Sequence, residues 1–60
     1  MRSRDVIQIL EADGWYEEQV KGSHHQFRHP WKRGRVTVPH PNANLPKGTV
    51  RSILKQTGLK

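Results

Sequence analysis

Sixty residues, 32% of them hydrophobic, allow one small domain with a marginal core. The absence of cysteine excludes disulfide staples and thiolate metal sites, and the longest apolar run is two residues, so nothing in the sequence spans a membrane and a cytoplasmic location is the default expectation. The net charge is +6, and its layout is uneven: all five acids lie within the first 18 residues, and nine basic residues follow with no acid, a pattern that attracts polyanions and makes nucleic acid the leading partner.

Residues 3–13, SRDVIQILEAD, have the periodicity of a helix. Val6, Ile9 and Leu10 form its apolar stripe, Ser3 caps its start, Asp5 suits the positive end of its dipole and Gly14 stops it. Residues 15–20, WYEEQV, fit an edge strand, where Glu17 and Glu18 discourage pairing with other chains. Lys21-Gly22 reads as a two-residue turn. Residues 23–29 alternate, so His25, Phe27 and His29 share the buried face while His24, Gln26 and Arg28 share the other. Pro30 ends that strand and WKRG, residues 31–34, makes a basic loop. Residues 35–38, RVTV, are the third strand, with Val36 and Val38 inward, and PHPNANLP is a stiff connection. A second helix over 46–57 buries Val50, Ile53 and Leu54, and Lys47, Arg51 and Lys55 make a basic ridge beside that stripe. The expected fold is α+β, one domain over 1–60 in α-β-β-β-α order, with a three-stranded antiparallel meander and two helices on one face.

Three of the four histidines fall in KGSHHQFRHP, residues 21–30, which invites a metal site. Zinc wants four convergent ligands, and His24 and His25 are strand neighbours that point to opposite faces, so no metal is expected. His25 and His29 accompany Phe27 and read as packing groups. His40 either caps a loop or touches RNA. His24 leads the outward face with Arg28 on the same side, and an exposed imidazole can give or take a proton near neutral pH. Taken alone, such a histidine is more often inert than catalytic.

The strings GSHHQFRHP, VTVPHP and LPKGTVRSILKQTGL, in that order and together with the opening helix and DGW, resemble the HicA toxins of bacterial type II toxin-antitoxin systems. The resemblance covers nearly the whole chain. It implies a double-stranded-RNA-binding-domain-like fold and a ribosome-independent mRNA interferase that cleaves single-stranded mRNA. It also implies neutralisation by a HicB-type antitoxin that covers the active site. The family's catalytic histidine directly follows Gly-Ser, which here makes it His24 after Gly22 and Ser23. Gln26 and the acidic Glu17-Glu18 pair depart from the commonest family pattern.

RNA carries its own nucleophile, the 2′-OH, so the chemistry needs a base, an acid and cations, with no cofactor. His24 suits the base. With a Lys21-Gly22 turn, Glu17 would lie opposite Gln26, share the His24 face, and orient that imidazole or raise its pKa. Candidate phosphate contacts are Lys21, Arg28, Lys32, Arg33, Arg35 and Lys47, and Trp31 either stacks on a base or covers the hairpin edge. The free chain is expected to be monomeric. The competing class is a non-catalytic double-stranded-RNA-binding module, which needs no histidine.

Overall fold

The α-β-β-β-α order appears as expected in a computed structural model that describes residues 1–59. Its elements are α1 (Ser3–Ala12), β1 (Tyr16–Lys21), β2 (His24–Arg28), β3 (Val36–Pro39) and α2 (Lys47–Gln56). The strands form one antiparallel sheet in the order β1-β2-β3, so β2 is central. Phe27 lies opposite Val36 and His25 opposite Val38, which sends both valines and Phe27 to one face. There they meet Val6 and Leu10 of α1, Ile53 of α2, and Trp15 and Leu45 from the connections. Both helices therefore cover that face. The other face stays open and carries the polar row Gln19, Gln26 and Thr37.

The first helix is rotated relative to the expected stripe. Val6 and Leu10 are fully buried with Ser3, and Ile7 packs beside them, but Ile9 is 37% exposed. The cause is Ser3, which does not cap the helix: the N-cap is Arg2, with no side-chain cap bond. Ser3 Oγ instead accepts the Asn42 backbone N–H at 2.8 Å and lies 2.7 Å from His40 Nδ1. The Ser3 N–H donates to the Asn42 carbonyl at 2.9 Å, and the Leu45 N–H to that of Met1. A backbone seam thus runs between the first residues and the 40s connection, and it draws the Ser3–Ile7 side of α1 inward. In α2, Ile53 is the buried position, with Thr57 buried at its C-cap, while Val50 and Leu54 are only half-buried.

The first hairpin differs in two ways. Its turn is Gly22-Ser23, with Gly22 at φ +57°, and Lys21 belongs to β1 opposite His24. Glu18 is an extra residue between the pairs Glu17–Phe27 and Gln19–Gln26, a β-bulge.

Gly14 ends α1 with φ +102°, a conformation that disfavours any side chain. A Cβ there would also stand 2.9 Å from His29 Nε2. Gly34 has a similar φ of +92° with open space around it. Gly14→Ala should therefore destabilise the domain by about 1–3 kcal/mol and by more than Gly34→Ala does, as read by urea denaturation.

Candidate active site on the open face of the sheet

Where β2 begins, the Gly22-Ser23 turn delivers His24 onto the open face. The turn is held by the residue after the neighbouring strand β3, where the His40 N–H donates to the Ser23 carbonyl at 2.7 Å. His24 sits between Lys21 of β1 and Pro39 of β3 as cross-strand neighbours. It is exposed, and no side-chain hydrogen bond engages its ring among the described residues. The backbone is thus clamped on both sides while the imidazole is left open to a ligand. Directly opposed side chains stand about 5 Å apart at Cβ, so the Lys21 ammonium can share a bound phosphate with His24.

Glu17 does not join them. Its carboxylate lies 2.5 Å from His25 Nδ1, on the helix-covered face. Moving the turn from Lys21-Gly22 to Gly22-Ser23 shifts the pairing by an even step, which alone would leave Glu17 on the His24 side. The bulge at Glu18 adds one residue, reverses the parity of everything before it, and places Glu17 opposite Phe27. The orienting carboxylate expected for His24 is therefore absent.

The other three histidines are built into the fold. The His25 ring stands edge-on to that of His40, with centroids 4.8 Å apart. Glu17, His25, His40 and Ser3 form one continuous side-chain chain under the sheet. His29 is 6% exposed. Its Nδ1 accepts the N–H groups of Trp31 and Lys32, both at 3.2 Å, so its proton must lie on Nε2, which donates to the Asp13 carbonyl at 2.7 Å. Both tryptophans stand edge-on to it, Trp15 at 5.2 Å and Trp31 at 4.6 Å between centroids.

The six candidate cations separate into groups. Lys21 and Arg33 are exposed and have no acidic partner among the described residues. Arg28 and Arg35 share Glu18, each at 3.2 Å. Lys47 opens α2 and lines an apolar groove with Val50, Arg51 and Leu54, in the helical layer and away from the open face. Lys32, expected among the phosphate contacts, is instead bound within the fold: its ammonium pairs with the Asp13 carboxylate and donates to the Thr57 carbonyl at 3.1 Å. Nothing in the string WKRG distinguishes Lys32 from Arg33. The difference comes from Asp13 standing where α1 ends, 19 residues earlier. Hydrogen bonding to Lys32 holds the Asp13 carboxyl below its ordinary value, aided by the Trp15 indole N–H at 3.1 Å.

These features define a small α+β domain that presents one open histidine, preceded by Gly-Ser, beside cations on an uncovered sheet face. A family model described as the HicA toxin of bacterial toxin-antitoxin matches residues 3–59. Among solved structures, a toxin-antitoxin complex from Streptococcus pneumoniae contains a chain 33% identical, with 98% of each chain covered and a TM-score of 0.81. No curated relative matches. The chain belongs to the HicA toxin family.

Because the Asp13 carboxyl is lowered in the folded state, its stabilising effect is complete above the ordinary aspartate value and is lost as pH falls through the lowered one. Asp13→Asn should therefore be less stable than wild type at neutral pH. The gap should close as the medium is acidified below the usual carboxylate range, in melts followed by circular dichroism.

Proposed function

We propose that this chain is an endoribonuclease toxin that cuts single-stranded mRNA without the ribosome or a metal, with His24 as its proton-transfer group. The observation that carries this reading is His24 itself: the one histidine on the open face, with no side-chain hydrogen bond among the described residues and with Lys21 across the strand. His24 takes the proton of a ribose 2′-OH. The 2′-oxygen then bonds to the adjacent phosphorus, the bond to the 5′-oxygen breaks, and the leaving oxygen takes up a proton from the imidazolium or from water. Lys21 stabilises the charge that develops on the non-bridging oxygens. Arg33, and Arg28 and Arg35 after displacement of Glu18, hold phosphates further along the strand. Gly22 and Ser23 serve by shaping the turn.

The neighbouring structure is a toxin-antitoxin complex, which supports an antitoxin as protein partner. We assign this partner to the HicB type, seated over the His24 face. A toxin of net charge +6 suits an inhibitor with an acidic docking surface.

The test is incubation of a defined RNA with purified wild type and His24→Ala, both in EDTA and without ribosomes. Wild type should cleave, and the variant should lose about 10²- to 10⁴-fold in rate, the usual worth of one general acid-base group. Glu17→Gln should leave the pH-rate profile unchanged, because Glu17 touches His25 and not His24. RNA binding without cleavage by either protein would instead establish a double-stranded-RNA-binding module, and loss of wild-type activity in EDTA would establish a metal requirement.

A further inference from the structure

Trp31 is 79% exposed, whereas Trp15, the only other tryptophan, is 2% exposed and part of the core. Stability accounts for Trp15 and leaves most of the Trp31 indole without a packing role. That ring is nevertheless well supported. Its backbone N–H is held by His29 Nδ1, and its ring stands edge-on to His29, at 83° between planes. His29 is itself fixed by the Asp13 carbonyl and the Lys32 N–H. A buried, fully hydrogen-bonded imidazole thus braces an exposed indole, so a ligand stacking on it meets a surface whose ordering cost is already met by the fold.

The position of the indole identifies the ligand. It lies in the loop 29–35, at the opposite end of β2 from His24. Four residue steps of strand separate His24 from Arg28, about 13 Å at ~3.3 Å each. The arginine pair stands at that end of the strand, and the loop adds Arg33, exposed and next but one to Trp31. Aromatic faces set among cations along a groove-like track are the means by which single strands are held irrespective of sequence. Resting on the reading of this chain as a ribonuclease, we infer that Trp31 is a base-stacking platform for single-stranded RNA. It holds one nucleobase beyond the Arg28 end of β2, several nucleotides from the phosphate at His24, and it makes affinity depend on substrate length.

The experiment measures binding of two single-stranded RNAs by the His24→Ala protein, so that no turnover intervenes, with and without a second substitution at Trp31. One RNA is four nucleotides long and the other ten. Trp31→Ala should weaken the ten-mer about tenfold and leave the four-mer unchanged, since losing one base-aromatic stack has that order of effect. Trp31→Phe should restore most of the ten-mer affinity. Stacking should also quench tryptophan fluorescence in the parent protein, and that quench should vanish in Trp31→Phe, because Trp15 is buried. Circular dichroism melts should coincide for all of these proteins, since the substituted ring is exposed. Equal ten-mer affinity for the parent and Trp31→Ala overturns the inference. Loss of antitoxin binding by Trp31→Ala with RNA affinity unchanged also overturns it, and assigns the indole to the protein partner. Failure of the otherwise unsubstituted protein to bind or cleave any RNA overturns the ribonuclease reading itself, a result separate from both.

Discussion

Phe27 determines which way β2 faces. It is the only large apolar residue in the central strand, and at 1% exposure it sits in the middle of the core. A strand has only two faces, so burying Phe27 sends His25 to the helices and His24 to the open side. Val36 and Val38 reinforce the same parity from β3, and Val6, Leu10 and Ile53 close over them. The placement of His24 on the open face is therefore a by-product of hydrophobic burial three residues away. No side-chain hydrogen bond orients the His24 ring among the described residues, and the ring is exposed.

The remaining histidines show how a small core manages polar groups. His29 is buried yet satisfied at both ring nitrogens, and it joins the end of α1, the end of β2 and the loop after it. Gly14 is the complementary piece, since any side chain there would strike the imidazole. His40 does similar service at the other end of the sheet, where its backbone N–H holds the turn before His24 and its ring meets Ser3 and His25. Sixty residues leave little apolar material, and these hydrogen-bonded imidazoles fill volume that a larger domain would assign to leucine or phenylalanine.

Much of this was legible in the sequence, because period-2 alternation around Phe27 and the 3.6 period of both helices are local signals. The element order, the central strand, the inward valines and the separation of His24 from His25 and His29 all follow from them. What escaped was non-local. Ser3 has the look of a helix cap until Asn42, far along the chain, claims its hydroxyl. Lys32 looks like Arg33 until Asp13 and Thr57 claim its ammonium. Glu17 changes face because of a bulge at Glu18, and no residue type announces a bulge in a run such as EEQ. The family resemblance made His24, which alternation had already set apart from His25 and His29, the expected catalytic residue, but it carried no information about bulge parity.

Glu18 itself gives the open face a further property. Its carboxylate sits between the Arg28 and Arg35 guanidinium groups, which is where an external anion would bind. Under the proposed function, an incoming phosphate would reach these arginines by exchange, replacing one anion with another. At Lys21 the same phosphate would meet a cation with no acidic partner among the described residues and would displace mobile counterions instead. Exchange of this kind depends only weakly on ionic strength, whereas counterion displacement depends on it steeply. Under that reading, the two ends of one short strand would respond differently to salt.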